Sequence, residues 1–107
     1  MVGYVVYGAK GSGSTAVEAA LTLIGAPYEV VERAPFDSAA DAEALAPVNP
    51  MRQAPALVLP SDGARGGELM TESAAILIHL AERHPEAGLA PAAASPLRPR
   101  FLRWMSF

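Results

Sequence analysis

Asn49-Pro50-Met51-Arg52-Gln53-Ala54-Pro55-Ala56-Leu57-Val58-Leu59-Pro60 is the stretch that decides how this chain folds. Pro47, Asn49 and Pro50 end whatever helix precedes them, and Ala56 to Leu59 is an apolar run of strand length. Pro55 opens that run. Proline has no N–H to give a ladder, so it belongs at a strand's first position or facing a ligand. The segment therefore reads as a short strand with a proline at its mouth.

Downstream, Ser61-Asp62-Gly63-Ala64-Arg65-Gly66-Gly67 is a turn-rich connection of hairpin length. Glu68-Leu69-Met70 is then the returning strand, antiparallel to the first. Thr71-Glu72-Ser73 opens a helix that runs to about Arg83, before His84-Pro85. From Ala74 to Leu80 only His79 interrupts the apolar residues, so this helix is covered on more than one side. Pro85 to Pro96 is an Ala/Pro/Gly linker. Beyond it Leu97, Phe101, Trp104 and Met105 share one helical stripe, with Arg98, Arg100 and Arg103 elsewhere. That last helix is too short to stand alone in water. No capping residue follows it, and the sequence reads as cut inside a helix.

Upstream, Tyr4-Val5-Val6-Tyr7 is β-branched and aromatic, a strand pattern. Ala16 to Ile24 is a helix, stopped by Gly25-Ala26-Pro27. Tyr28 to Arg33 is a second strand, parallel to the first by the default of β-α-β units. Ser38 caps a short, weakly patterned helix over 39–46. The two broadly apolar helices are expected to lie together on one face of the sheet.

Between the first strand and first helix lies Gly8-Ala9-Lys10-Gly11-Ser12-Gly13-Ser14-Thr15. A loop like this at a helix N-terminus attracts anions, because free N–H groups and the positive end of the dipole face the ligand. Gly11-x-Gly13-x-x-Ala16 fits a dinucleotide fingerprint, with Glu32 where a ribose-binding acid would sit. However, Gly8-Ala9-Lys10 intervene after the strand, and the later chain does not repeat the β-α-β rhythm. A P-loop is excluded, since Lys10 precedes the glycines. The plain alternative is a turn capped by Thr15, with Glu18 completing a capping box, or by Ser14.

With 107 residues the chain is one domain, half hydrophobic and 18% charged, so it is globular. A net charge of −3 and a pI near 5.2 argue against a nucleic-acid surface. No apolar run has the length of a membrane span, and no secretion signal opens the chain, which favours the cytoplasm. Without cysteine there are no disulfides, thiolate ligands or thiol nucleophile. His79 and His84 lack the i, i+4 spacing of a helical zinc pair, and no metal is expected. His79 is read as a polar contact on its helix, His84 as a partner of the helix dipole, and Arg52 as solvent-exposed, with contact to a ligand as its alternative. Seven arginines against one lysine, with abundant alanine and proline, suggest a GC-rich bacterial coding bias.

The order β-α-β-α-β-β-α, with a proline opening the third strand, resembles the thioredoxin-like fold: α/β, a mixed four-stranded sheet, here with a short C-terminal helix added. Asn49-Pro50-Met51-Arg52-Gln53-Ala54-Pro55-Ala56-Leu57 resembles the N-P-x-x-x-V-P-A-L segment of glutathione transferases. Leu69-Met70-Thr71-Glu72-Ser73-Ala74-Ala75-Ile76 is similar to their L-x-E-S-x-A-I segment, and Gly25-Ala26-Pro27-Tyr28-Glu29 to their G-x-P-Y-E. The resemblance spans roughly Tyr4 to His84. Thioredoxins and glutaredoxins share the fold but use a redox cysteine, which is absent here. By this resemblance residues 1–84 form a glutathione-binding domain, 85–96 a linker, and 97–107 the first part of a helical domain.

The resemblance also implies roles. Pro55 would be cis, turning the Ala54 backbone to pair with the cysteinyl part of glutathione. Gln53 would hold the glycyl end, Ser73 the γ-glutamyl carboxylate and Glu72 its ammonium. A carboxylate at a helix N-terminus and an ammonium beside a carboxylate agree with elementary electrostatics. The bland counterparts are that Ser73 or Thr71 caps the helix and Glu72 favours its dipole.

A thiol of pKa near 8.5 needs roughly 2.7 kcal/mol to be lowered by about two units. A helix N-terminus supplies about 0.3–1 kcal/mol, and a hydrogen bond to a charged acceptor about 1.5–3. Neither alone is comfortably enough, whereas a hydroxyl donor at the first helix's N-terminus can be. Cysteine-type transferases carry their cysteine near Gly13, and none is present. Ser12 fits the serine type after a shift of about one residue, and Tyr7 fits the tyrosine type, though strand-end aromatics are also common core residues. Ser14 is the third candidate. The implied activity is attack of the glutathione thiolate on an electrophile. Its alternative is a noncatalytic module of the same fold. Self-association, as a homodimer, is expected from apolar helix faces that seek a partner.

Overall fold

The computed structural model describes residues 3–60 and 67–106. Its elements follow in the order β1 (Tyr4–Gly8), α1 (Ser14–Ile24), β2 (Tyr28–Glu32), α2 (Ala39–Leu45), β3 (Ala56–Val58), β4 (Leu69–Thr71), α3 (Ser73–Arg83) and α4 (Arg98–Met105). Of the connection expected over 61–67, residues 61–66 lie outside the described residues. The strands form one mixed sheet in the order β2-β1-β3-β4. β1 and β2 are parallel, with Tyr4 opposite Tyr28 and Gly8 opposite Glu32. β3 runs antiparallel to β1 and to β4, with Leu57 between Val6 and Met70. This is the thioredoxin-like α/β architecture.

Strand alternation sets what lies inside. Tyr4 and Val6 point to one face, where they meet Val17, Ala20 and Leu21 of α1 and Ile76 and Leu80 of α3. The two broadly apolar helices thus share one face of the sheet, as their composition predicts. Val5 and Tyr7, the alternate positions, point to the other face and are only partly covered. α2 contributes the fully buried Leu45, which stands apart from the main cluster.

The helix ends follow local chemistry. Gly25 takes the left-handed conformation, φ 78°, and its N–H bonds to Leu21 and Thr22 carbonyls, which closes α1. Ser38 caps α2, accepting from the Asp41 N–H at 3.2 Å. The capping box at the start of α1 is absent. Gly13 occupies the cap position without a side-chain bond, and Thr15 is exposed inside the helix. At the other end of α3, His84 is more than a dipole partner: its Nε2 lies 2.8 Å from the Tyr4 hydroxyl, tying the start of β1 to the end of α3.

The expected linker has its own structure. Pro85–Ala87 is a single 3-10 turn, closed by Gly88 at φ 67°. α4 then returns toward α3, where Arg98 meets Glu82 at 2.6 Å and donates to the Pro91 carbonyl at 3.2 Å. Its apolar stripe of Leu97, Phe101, Trp104 and Met105 faces Leu89 and Pro91 across an open groove of about 720 Å³. Among the described residues no helix is long and apolar enough to cross a membrane.

Candidate functional site

The site forms where three segments meet at one end of the sheet: the loop before α1, the turn before β3 and the N-terminus of α3. Gly13 is the meeting point. A Cβ built on it would stand 3.3 Å from Pro55 Cδ and 3.5 Å from Ser73 Cβ, so the loop backbone rests directly on both. The Ala54–Pro55 peptide is cis. Ser73, Pro55 and the loop are thereby brought together, although some sixty residues separate them in sequence.

A cleft of about 400 Å³ opens beside this junction. Ser12 lines one side, Gln53 and Ala54 the next, and Pro35, Phe36, Met51 and Arg52 complete it. Phe36 and Met51 are 63% and 70% exposed, which leaves an apolar wall uncovered at the cleft mouth. Neither was visible as a site residue in the sequence. Asn49 was legible only as a helix breaker, yet it is buried and fixes the turn: its Nδ2 donates to the Gln53 carbonyl at 2.8 Å, and its Oδ1 accepts from the Met51 N–H at 3.0 Å. Such double use of an Asn side chain in a turn shows only in the folded geometry. Arg52 is exposed as expected and pairs with Glu43 at 2.9 Å. Its φ of 54° is a left-handed conformation usually left to glycine.

The three hydroxyl candidates occupy different places. Ser12 is half-buried and lines the cleft. Its Oγ donates to the Ala9 carbonyl at 2.7 Å and accepts from the N–H groups of Ser14 at 3.2 Å and Ala9 at 3.3 Å. Ser14 is fully buried beneath Gly8, and its Oγ contacts Ala9 N and Ala9 O, each at 3.1 Å, and Ser12 Oγ at 2.9 Å. Tyr7 is half-buried on the sheet face opposite α1 and α3.

At α3, Glu72 occupies the cap position with φ 69° and ψ 111°, an unusual backbone for a residue with a side chain. No side chain caps this helix end, so neither Ser73 nor Thr71 fills the bland capping role. The Ile76 N–H bonds back to the Glu72 carbonyl, and the N–H groups ahead of it lie at the edge of the junction. Free helix N–H groups beside an exposed carboxylate suit a ligand that carries both an anion and a cation close together.

A sequence model described as glutathione S-transferase, N-terminal domain, matches residues 6–88. The chain belongs to the glutathione S-transferase family. An uncharacterised GST-like protein of Escherichia coli K12, YncG, is 41% identical over 99 residues, covering 92% of this chain and 45% of that protein. Among solved transferases, the sphingomonad glutathione S-transferase complexed with glutathione is 37% identical, with a TM-score of 0.78 over 96% of this chain and 49% of its own. A glutathione transferase homologue from Sulfitobacter with bound glutathione is 32% identical, with a TM-score of 0.74 over 90% of this chain and 43% of its own. The chain therefore spans about half the length of the transferases it matches.

Proposed function

We propose that this domain binds glutathione in the cleft beside Gly13 and stabilises its thiolate through the Ser12 hydroxyl, for attack on an electrophile. The observation that carries this reading is the Gly13 junction, which sets Ser12, the cis-Pro55 turn and the uncapped start of α3 around one cleft. Two transferases that match over most of this chain hold glutathione.

The roles are those the family resemblance implies, and the chemistry at each position agrees with them. The α3 N-terminus and the Ser73 hydroxyl receive the γ-glutamyl carboxylate, and Glu72 pairs with the neighbouring ammonium. The Ala54 backbone ahead of Pro55 pairs with the cysteinyl unit as a strand would, and Gln53 holds the glycyl end. Ser12 is preferred over its rivals as thiol donor because it alone of the three hydroxyls lines the cleft. Ser14 is buried beneath Gly8, and Tyr7, on the sheet face away from α1 and α3, is not among the residues that line the cleft. Residues 1–84 are the glutathione-binding unit, 85–96 the linker, and 97–107 the first part of a helical domain.

Titration calorimetry tests the reading. Glutathione is expected to give a saturable heat, reduced by Ser73→Ala. Absence of heat at millimolar ligand overturns it.

A further inference from the structure

The Ser14 hydroxyl is buried, outside the cleft, and bonded to the same carbonyl that Ser12 uses. The Ala9 carbonyl is approached by three donors: Ser12 N–H at 3.1 Å, Ser12 Oγ at 2.7 Å and Ser14 Oγ at 3.1 Å. A carbonyl oxygen has two lone pairs. One of the three donors is therefore in excess, and the two hydroxyls, 2.9 Å apart, can also donate one to the other. The backbone N–H is fixed by the turn, and the Ser14 hydroxyl is enclosed, with Gly8 above it and no access to solvent. Of the three, only the Ser12 hydroxyl borders the cleft and can turn its proton outward.

We propose that Ser14 is a positioning residue: by filling the second lone pair of the Ala9 carbonyl, it releases the Ser12 proton toward the thiolate of a bound ligand. This rests on the reading of Ser12 as thiol donor. When Ser12 turns outward, its oxygen keeps the Ser14 and Ala9 N–H groups as donors, and the Ala9 carbonyl keeps Ser12 N–H and Ser14 Oγ. The Ser12 oxygen and the Ala9 carbonyl both keep two donors. Without the Ser14 hydroxyl, the carbonyl has a vacant lone pair and the Ser12 proton is the nearest one to fill it.

The thiol pKa of bound glutathione, followed by thiolate ultraviolet absorbance across a pH titration, reads this directly. In Ser14→Ala it is expected to rise by roughly 0.5–1 unit, the equivalent of the one neutral hydrogen bond to the Ala9 carbonyl that Ser12 must then give up. In Ser12→Ala the whole contribution of the hydroxyl is lost and the rise is larger. Binding of S-methylglutathione, which has no thiol to ionise, is expected to be unchanged in Ser14→Ala. Ser14→Gly removes the same donor and gives the same shift if the alanine variant does not fold.

A wild-type thiol pKa in Ser14→Ala, with a raised one in Ser12→Ala, overturns the role of Ser14 and leaves that of Ser12. Equal weakening of glutathione and S-methylglutathione in Ser14→Ala also overturns it, since that marks a structural role alone. A wild-type pKa in Ser12→Ala removes the Ser12 reading and this one together, as does absence of glutathione binding to the unaltered protein.

Discussion

Gly8→Ala isolates the contact on which the loop before α1 is built. Gly8 is not among the glycines with positive φ, which are Gly11, Gly25 and Gly88, so alanine meets no backbone objection there. Its Cβ would, however, stand 2.3 Å from both Cβ and Oγ of Ser14. Non-bonded carbons settle at about 3.5–4.0 Å, so β1 and α1 must separate by more than about 1 Å at this point. Both elements are anchored in the core, through Val6 and Val17, and neither has slack. Overpacking of a tight interior typically costs about 1–3 kcal/mol. The size of this overlap puts the loss at the upper end, about 3 kcal/mol, against a total stability of about 5–15 for a typical domain. The midpoint of urea unfolding, with its slope unchanged, measures it. Adding Ser14→Gly to Gly8→Ala removes the colliding atoms, and a coupling of at least about 1 kcal/mol is expected between the two sites. A Gly8→Ala protein within about 0.5 kcal/mol of wild type, the range of an inert surface change, refutes the reasoning.

At Arg52 the φ of 54° favours glycine and opposes β-branched residues, so Arg52→Val is expected to unfold at least about 1 kcal/mol more easily than Arg52→Gly. The exposed ion pair with Glu43 adds little to either result, and equal stabilities in thermal unfolding would count against the argument. Burial raises the Tyr4 phenol above its ordinary pKa of 10.0, an effect partly offset by the Arg83 charge. The folded state thus holds this proton more tightly than the unfolded chain. Its stabilising contribution is full below pH 10 and is lost as pH rises through the folded value. Tyr4→Phe is expected to flatten that alkaline fall in the denaturation midpoint, and an undiminished slope contradicts it. Glu72→Gln keeps shape but removes the charge proposed to meet the ligand's ammonium; glutathione affinity by calorimetry is expected to drop about tenfold, near 1.4 kcal/mol. An unchanged affinity assigns Glu72 no part in binding.

Most of the fold was legible because its signals are local. Gly25 and Pro27 stop α1, Ser38 starts α2, and Pro55 marks the beginning of β3, each within a residue or two of the observed boundary. The partners of side chains were harder to read. His84 finds Tyr4 eighty positions away, and nothing near either residue announces it. The capping box was misread because Thr15 and Glu18 have the right spacing, while Gly11, at φ 77°, turns the loop so that the helix starts earlier. Ser14 then falls inside, under a glycine whose lack of Cβ is what admits it. Tyr7 could have been placed from the sequence, since a strand that sends Val6 inward sends its neighbour to the opposite face. Asn49 and Phe36 needed the turn geometry itself.

The arrangement also explains how so small a loop could meet the demand of thiol activation. Lowering a thiol pKa by about two units requires roughly 2.7 kcal/mol. A helix N-terminus gives about 0.3–1 kcal/mol, and a hydroxyl bonded to a thiolate about 1.5–3. At mid-range the two sum to about 2.9 kcal/mol, just reaching the requirement. A Ser12 proton committed to the Ala9 carbonyl would first have to leave a bond worth about 0.5–1.5 kcal/mol, which lowers that mid-range total to about 1.9. With three donors crowded on one carbonyl, that bond is already contested before any ligand arrives. On the proposal made for Ser14, its burial and the bareness of Gly8 are two sides of one device: a small residue makes room for an enclosed hydroxyl, and the enclosed hydroxyl leaves the one that borders the cleft a proton to donate.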